Sequence, residues 1–297
     1  MTDNANSSTE EIFSTLRPRL FSIAYRMLGI RADAEDVVQD AWLRWHSTAK
    51  DQIQSLEAWL VTVTTRLSID RLRASKADRE TYIGWWLPEP LVEVDHSTPE
   101  SAVELTSDVS VAFMWMLERL SPDERAAFLM RQVFDSDYAE IAQVVNKSEA
   151  ACRQLVHRAV SRIQEQRPRF SVSKSAHREL LATFTQAARQ GDIAAMRALM
   201  SADVQLVADG GGKVSSFLHI LKGAGRVAGV FWSVEHKHPL QVEYRPALIN
   251  GELGLLRYVE GKLESAQSFI IDDGLIVAVF IIRNPEKLAS IPQTLSA

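Results

Sequence analysis

The fold of this chain is decided by the stretch Tyr138-Ala-Glu-Ile-Ala-Gln-Val-Val-Asn-Lys-Ser148-Glu-Ala-Ala-Cys-Arg-Gln-Leu-Val-His-Arg-Ala-Val-Ser-Arg162. A short apolar helix is predicted to end near Val145, because Asn146 tolerates the left-handed conformation of a tight turn. Ser148 then supplies the N-cap of a second helix. The apolar face of the second helix repeats at helical spacing and consists of Cys152, Leu155, Val156, Ala159 and Ile163. Its opposite face carries long polar side chains, namely Arg153, Gln154, His157, Arg158 and Arg162. This pattern predicts a DNA-binding helix-turn-helix, and the alternative is a basic, solvated helix in an ordinary bundle.

The composition of the chain sets limits on its class. The protein has 297 residues, of which 46% are hydrophobic and 24% charged, so two or three soluble globular domains are expected. A net charge of −5 argues against a protein that coats nucleic acid indiscriminately. No signal peptide and no membrane-length apolar run is visible, and the single Cys152 fits a reducing compartment. We therefore expect a cytoplasmic protein with no membrane partner.

The N-terminal part of the sequence predicts a compact three-helix module. A capping box at Ser8 opens the first helix, Gly29 ends it, Asp33 caps the second and Ser55 begins the third. The solvent face of the second helix is acidic or polar and consists of Asp33, Glu35, Asp36, Gln39 and Asp40. The third helix extends Arg66, Arg71 and Arg73 outward. Trp42 and Trp45 are assigned to the core because they fall on the apolar stripe.

Two stretches in this order resemble one known family. Asp33-Ala-Glu-Asp-Val-Val-Gln-Asp-Ala-Trp-Leu43 and Ala58-Trp-Leu-Val-Thr-Val-Thr-Thr-Arg-Leu-Ser-Ile-Asp-Arg-Leu-Arg73 resemble region 2 of extracytoplasmic-function sigma factors. The helix-turn-helix resembles region 4 of the same factors. The resemblance implies region 2 at 8–76, a linker at 77–106 and region 4 at 107–168. It also implies promoter-specific transcription initiation with core RNA polymerase and promoter DNA as partners.

The resemblance also implies roles for single residues. The acidic face would dock on polymerase, through Asp33, Glu35, Asp36, Gln39 and Asp40. The third helix would read and melt the −10 element, through Trp59, Arg66, Arg71 and Arg73, while the loop 48–54 would hold a flipped base. The helix-turn-helix would bind the −35 element through Ser148, Arg153, Gln154, His157, Arg158 and Arg162. Of these, Arg153 and Gln154 are expected to read bases, and Arg158 and Arg162 to contact phosphates.

The remainder of the chain, 174–297, predicts an α+β domain. Two helices around Gly191-Asp192 are followed by short strands at 204–208 and 214–217, a helix near 225–234 and four β-runs between 240 and 283. This pattern favours a cone with a strongly curved antiparallel sheet and an internal pocket, which resembles the SnoaL-like domains of the nuclear-transport-factor superfamily. The whole chain is therefore predicted to be multidomain, with two all-α helical modules followed by this α+β domain.

Three short motifs resemble those of sigma factors that carry such an extension. They are Trp86-Leu-Pro-Glu-Pro90 in the linker, Asp209-Gly-Gly-Gly-Lys213 in the extension and Asn284-Pro-Glu-Lys-Leu288 near the end of the chain. The resemblance implies that the extension regulates sigma activity. The exposed tryptophans independently favour a linker that docks on a concave surface over a passive tether.

Catalysis and ligand binding in the extension are the remaining alternatives. A carboxylate at Asp209, with His219 or Tyr244 nearby, could act in a pocket, but Asp209 is better explained as the start of a glycine turn. His236 and His238 without a third ligand make a poor metal site, so no metal and no cofactor are expected. A small-molecule ligand in the pocket is retained as a candidate partner. Two other functions stay open: a ligand-sensing helix-turn-helix regulator that does not join polymerase, and a DNA-binding protein with an isomerase-like domain.

Overall fold

A computed structural model of the protein describes residues 3–48, 53, 55–93, 109–164, 174–236, 241–291 and 293. Its backbone contacts divide the chain into two compact units. Unit 1 contains Met1–Glu80, Ser97–Val109 and Met116–Gln166. Unit 2 contains Thr81–His96, Ser110–Trp115 and Arg167–Ala297. No helix in the described part of the chain is long and apolar enough to cross a bilayer.

Unit 1 begins with the helices α1 (Asp3–Leu28), α2 (Arg31–Ser47), α3 (Leu56–Ala74) and α4 (Lys76–Glu80). The positive φ of Gly29 ends α1 as predicted. Ser55 caps α3, as predicted, by accepting a hydrogen bond of 3.3 Å from the Ala58 N–H group. The buried apolar side chains of these helices include Leu20, Ile23, Met27, Val37, Ala41, Trp45, Leu60 and Ile69. Trp42 is half-buried, against the ring of Phe13.

Two predicted helix starts in unit 1 are wrong. Helix α1 already begins at Asp3, so the capping box predicted at Ser8 lies within it. Helix α2 begins at Arg31 with Ile30 as its N-cap, and no side chain caps it. Asp33 lies inside the first turn of this helix, and its carboxylate accepts hydrogen bonds of 2.6 and 3.1 Å from Arg71.

The second half of unit 1 contains α6 (Pro122–Gln132), α7 (Tyr138–Val145) and α8 (Glu149–Gln164), preceded by α5 (Val111–Leu117), which unit 2 shares. A capping box joins Ser121 and Glu124 at the start of α6.

The turn between α7 and α8 has the predicted geometry. Asn146 is left-handed, with φ of 53°, and Ser148 accepts a 3.2 Å hydrogen bond from the Ala151 N–H group. All five residues of the predicted apolar face of α8 are buried, namely Cys152, Leu155, Val156, Ala159 and Ile163. The predicted helix-turn-helix is therefore confirmed at the level of its backbone and core.

Unit 2 combines helices with a seven-stranded sheet. Its helices are α9 (Lys174–Gln190), α10 (Ile193–Ala198), α11 (Ala224–His236) and α12 (Pro285–Leu288). Its strands are β1 (Val92–Glu93), β2 (Met200–Asp209), β3 (Leu221–Lys222), β4 (Val242–Ile249), β5 (Glu252–Val259), β6 (Lys262–Asp272) and β7 (Leu275–Ile282). The strand order is β1-β4-β5-β6-β7-β2-β3. A core of apolar side chains lies between helices and sheet, with the ring of Phe184 perpendicular to that of Phe231.

The predicted α+β class of unit 2 is confirmed, with three differences in detail. The sheet is mixed, because β2 and β7 run parallel while the other pairs are antiparallel. The predicted strand 214–217 is absent from the described chain. Lys213 and Val214 close a turn by donating to the Gly210 carbonyl, and the backbone that follows is irregular. The linker adds an unpredicted strand, because Val92 pairs with Ile249 at the sheet edge.

Candidate nucleic-acid interface and linker site

The basic face of α3 is engaged within unit 1. The Arg66 guanidinium donates a 2.6 Å hydrogen bond to the Gln143 carbonyl and a 3.4 Å bond to the Val144 carbonyl, both at the C-terminal end of α7. Arg73 forms a 2.6 Å ion pair with Asp123 at the start of α6. The predicted −10 helix therefore packs directly against the helix-turn-helix.

The acidic face of α2 is also partly engaged. Arg71 bridges Asp33 and Asp36, and Asp36 Oδ2 lies 2.9 Å from its guanidinium. Burial alone would lower the pKa of Arg71, but the hydrogen bonds and charges of the two carboxylates outweigh it and raise that pKa. Glu35 pairs with Arg17, whereas Gln39 and Asp40 are exposed. Trp59 is half-buried, with its ring 5.7 Å from that of Trp45.

The polar face of the recognition helix α8 remains exposed. Arg153, Gln154 and His157 lie on the surface, as does Ser148 at the N-cap. Arg153 pairs with Glu149 at 2.9 Å and lies over the ring of Tyr138, 4.8 Å from its centre. These contacts orient the guanidinium near the N-terminal end of the helix, where a major-groove reader presents its base contacts.

One carboxylate holds the two predicted phosphate-binding arginines. Glu124 accepts hydrogen bonds from Arg158 at 3.1 Å and from Arg162 at 2.6 Å. Burial alone would raise the pKa of Glu124, but hydrogen bonds from Ser121 and Arg158 and the charge of Arg162 hold it below its usual range. The negative charge of Glu124 is therefore paired with both of the arginines predicted to contact phosphates.

Unit 1 also contains a cluster of buried charged side chains, which lies between its N-terminal helices and its helix-turn-helix half. Glu118 pairs with both Arg79 and Arg125, and the Arg125 Nε donates a 2.9 Å hydrogen bond to the Arg26 carbonyl. Arg79 also donates to the carbonyl of Leu28. Burial alone would raise the pKa of Glu118, but Arg125 and Arg79 lower it below its usual range. This cluster joins α1 to α6 and contributes to holding unit 1 together.

The three motifs of the linker and extension converge on one site in unit 2. Asp209 is fully buried and accepts hydrogen bonds from the Leu87 N–H group at 2.9 Å, from Lys287 at 2.7 Å and from the Tyr82 hydroxyl at 2.6 Å. Lys287 also donates to the Leu87 carbonyl and lies 4.1 Å from the centre of the Trp86 ring. The linker backbone and the buried charge pair are thus one hydrogen-bonded unit.

The remaining motif residues surround this site, which we call the linker site. Asn284 donates a 2.9 Å hydrogen bond to the Tyr82 hydroxyl and caps α12 through the Glu286 N–H group. Lys213 pairs with Glu286 on the surface, and the Ser290 hydroxyl donates to Glu89. The other predicted contact residues are placed in the same segments: Pro88, Pro90, Gly210, Gly211, Gly212, Pro285 and Leu288. A side chain at Gly211 would collide with the Asn284 amide, at 2.4 Å, so the glycine permits this approach.

Sequence reasoning missed several members of the linker site. Tyr82 lies four residues before the Trp86-Leu-Pro-Glu-Pro90 motif and is not among the predicted contact residues. Asn250 holds the end of the linker, because its side chain accepts a 2.9 Å hydrogen bond from the Leu91 N–H group. Trp115 packs between Trp85 and Phe280, with ring centres 6.2 and 5.4 Å away. An aromatic residue beside a proline-rich run was the available signal for Tyr82, and nothing local marks Asn250.

Asp209 does not have the geometry of a catalytic carboxylate. Its oxygens are occupied by donors from Tyr82 and Leu87 of the linker and from Lys287 of α12, and a cavity of about 500 Å³ elsewhere in unit 2 is lined by other residues, including Tyr244. His219 is exposed, His238 lies outside the described residues, and His236 stacks on Trp232. Among the described residues no cluster of three or more metal-ligating side chains occurs.

Comparison with known proteins agrees with this architecture. Residues 12–78 match the family model Sigma-70 region 2, and residues 110–163 match Sigma-70, region 4. These two modules in this order, the second with its helix-turn-helix, define a sigma factor, the class of protein that gives RNA polymerase its promoter specificity. The class predicted from the sequence is confirmed.

The relatives cover nearly the whole chain. The ECF RNA polymerase sigma factor SigJ of Mycobacterium tuberculosis is 38% identical over 291 residues, covering 94% of this chain and 93% of the relative. A probable ECF RNA polymerase sigma factor, SigI, of the same species is 30% identical, covering 92% of both chains. The crystal structure of M. tuberculosis SigJ aligns with a TM-score of 0.77 and 34% identity, covering 96% of this chain and all of that one. The chain therefore belongs to the extracytoplasmic-function sigma factor family, among members with a C-terminal SnoaL-like extension.

Proposed function

We propose that the protein is a dissociable promoter-specificity subunit of bacterial RNA polymerase whose own C-terminal domain controls its activity. In this proposal the α2 face docks on core polymerase, α3 captures the opened −10 strand and α8 reads the −35 duplex. Family membership and the exposed N-terminal end of α8 support these roles. The protein itself makes no bonds, and polymerase carries out the synthesis.

The contact between α3 and α7 is the main support for the proposal that the activity of the protein is regulated. The names of the −10 and −35 elements place them about 25 base pairs apart, which is roughly 85 Å of duplex at 3.4 Å per base pair. In unit 1 the predicted −10 helix touches the helix-turn-helix through the 2.6 Å bond from Arg66 to the Gln143 carbonyl. One compact unit cannot bind both elements, so unit 1 must open before it recognises a promoter.

The path of the linker suggests how the C-terminal domain limits this opening. The chain leaves region 2 at Glu80 and re-enters the helix-turn-helix half at Met116, and the described residues 81–93 and 110–115 between these points belong to unit 2. Released, these roughly 35 residues can extend to about 115 Å. Contacts with Asp209, Asn250 and Phe280 hold Leu87, Leu91 and Trp115 of this segment within unit 2. Holding the linker therefore restricts how far the two DNA-binding halves can separate.

Reconstituted transcription tests the role in initiation. Purified full-length protein added to core polymerase on promoter DNA should give specific transcripts. A DNA-binding regulator that never joins polymerase would give no initiation above core enzyme alone, and that result would refute the sigma role. Deleting region 2 should abolish initiation in the same assay.

A distance measurement tests the opening. Cysteines placed at the exposed positions Leu43 on α2 and Gln132 on α6 can carry spin labels, because the native Cys152 is buried and burial raises the pKa of its thiol. The label distance should lengthen by tens of Å when polymerase and promoter are added, as the 85 Å spacing requires. An unchanged distance in an active initiation complex would contradict the opening step.

A further inference from the structure

The cavity in unit 2 has two walls of different character. It measures about 500 Å³, within the range of small-molecule sites. One wall is apolar and includes Val230, Phe231 and Ile281, and Phe217 lies at an exposed edge. The other wall is polar and includes Tyr244, Arg257, Glu264, Ser265, Gln267 and Arg283. A molecule bound in the cavity would contact an apolar wall on one side and polar side chains on the other.

The charges of the polar wall are matched within the protein. Arg257 lies 2.9 Å from Glu264 and 3.4 Å from Glu235, while Arg283 donates a 2.6 Å hydrogen bond to Glu264. The Tyr244 hydroxyl donates to Glu235. Two guanidinium groups therefore face two carboxylates. A charged guest would displace an existing pair and lose its own hydration, so a neutral guest is favoured.

The side chains of Glu264, Ser265 and Gln267, which are neighbours on β6, can be assigned as hydrogen-bond donors or acceptors. Burial alone would raise the pKa of Glu264, but Arg283, Arg257 and the Ser265 hydroxyl lower it, so this carboxylate is ionised and can only accept. The Gln267 amide nitrogen donates a 3.2 Å hydrogen bond to the hydroxyl oxygen of Ser265, the residue next to Glu264 on β6. The Gln267 side chain is thereby oriented.

This orientation leaves an acceptor without a donor. The side-chain amide oxygen of Gln267 has no hydrogen-bond partner among the described residues. This oxygen is buried, and Gln267 as a whole is only 2% exposed. The Ser216 hydroxyl, on the same cavity wall, is also without a partner in the described chain. A buried polar group left unpaired costs free energy that a bound donor would restore.

From these features we propose that the cavity binds a neutral, mainly apolar small molecule that donates a hydrogen bond to Gln267 through a hydroxyl or N–H group. The apolar wall implies that most of the molecule is apolar. The paired charges imply that it is neutral, and the unpaired amide oxygen implies that it carries a hydrogen-bond donor. The proposal concerns binding and not turnover. It is tested without polymerase or DNA, so its failure would leave the role in initiation intact.

Matched naphthalene probes separate these requirements. With the full-length protein, ligand-observed NMR titrations would compare 2-naphthol, 2-fluoronaphthalene and 2-naphthoate at sub-millimolar concentration. The naphthol should bind about 3- to 10-fold more tightly than the fluoro analogue, the effect of one neutral hydrogen bond. The naphthoate should bind most weakly. Tightest binding by the naphthoate, or no binding of any probe, would overturn the proposal.

Three variants assign the binding to this cavity. Gln267→Leu keeps the shape but removes the acceptor, so it should abolish the preference for naphthol and retain binding of the fluoro analogue. Val234→Trp, at a half-exposed position that lines the cavity, should block all three probes. Ala182→Trp, in a second cavity bordered by α9, should leave binding unchanged. A naphthol preference that survives in Gln267→Leu would show that the donor goes elsewhere and refute the assignment.

Discussion

Glu124 in unit 1 and Asp209 in unit 2 each bind several donors, yet their donors differ in exposure. The side chains of Arg158 and Arg162, which bind Glu124, are 52% and 50% exposed. Lys287, which binds Asp209, is 8% exposed, and the carboxylate itself is fully buried. Half-exposed ion pairs contribute little and are weakened by salt, whereas a buried pair is costly to break.

This difference indicates which contacts can exchange during function. We expect the half-exposed arginines to exchange Glu124 for DNA phosphates, because Glu124, itself only 5% exposed, keeps its hydrogen bonds from the Ser121 N–H and hydroxyl groups. The linker held by Asp209 cannot leave without exposing or stranding the Lys287 ammonium group. We therefore expect the contacts around Glu124 in unit 1 to exchange readily and the contacts around Asp209 in unit 2 to persist, so that release of the linker is the slower step.

The largest effect is expected from Asp209→Asn. The variant leaves Lys287 buried without a carboxylate, so unit 2 should lose about 3–5 kcal/mol of stability. Hydrogen exchange should become faster in residues 82–91, because Tyr82 and Leu87 bond to different oxygens of Asp209 and an asparagine amide keeps only one acceptor oxygen. The control is Glu286→Gln, which breaks an exposed pair with Lys213 and should cost about 1 kcal/mol or less. Equal effects of the two variants would contradict the contrast between buried and exposed pairs.

Base recognition by α8 should show the next largest effect. Arg153→Ala should remove about 1–3 kcal/mol of discrimination at one position of the −35 element. Arg162→Ala should weaken binding evenly across sequences and reduce the salt dependence. Binding titrations on a set of −35 variants at several salt concentrations would measure both. If the two variants shifted sequence preference equally, the division into base and phosphate contacts would be wrong.

The sequence predicted what local patterns can encode. The buried face of α8, the left-handed Asn146 and the Ser148 cap depend on residues within one or two turns of each other, so their spacing was sufficient. The motifs around Asp209 were recognised by resemblance, and their convergence was then visible only in the structure. The contact from Arg66 to Gln143 spans 77 positions and that from Tyr82 to Asp209 spans 127, and no local pattern specifies such partners.

Acid should loosen unit 1 through Glu118. The folded-state pKa of this group is lower than its ordinary value of 4.5, so its ionised form stabilises the folded unit. That contribution is complete well above pH 4.5 and is lost progressively as the pH falls through the folded pKa. The distance between labels at Leu43 and Gln132 should therefore lengthen on acidification below about pH 4.5. A distance that stays constant until global unfolding would show that Glu118 does not help to close the unit.

Glu124→Gln should give the smallest effect and the sharpest test of exchangeable contacts. Glutamine at this position can still complete the capping box with Ser121, so the helix start is kept while the negative charge is removed. Freed from this competitor, Arg158 and Arg162 should bind duplex DNA about 2- to 5-fold more tightly at low salt, equivalent to roughly 0.5–1 kcal/mol. The gain should fade at high salt because half-exposed charges are screened.

The matched control for this variant is Glu140→Gln on α7. Glu140 occupies the same capping-box position, with Asp137 as its N-cap, but no arginine pairs with its carboxylate among the contacts of the described residues. Fluorescence anisotropy with one labelled duplex would compare both variants with the parent protein. A similar gain in both would mean that the overall change in net charge, and not release of Arg158 and Arg162, strengthens DNA binding, and the assignment of Glu124 as a competitor would fail.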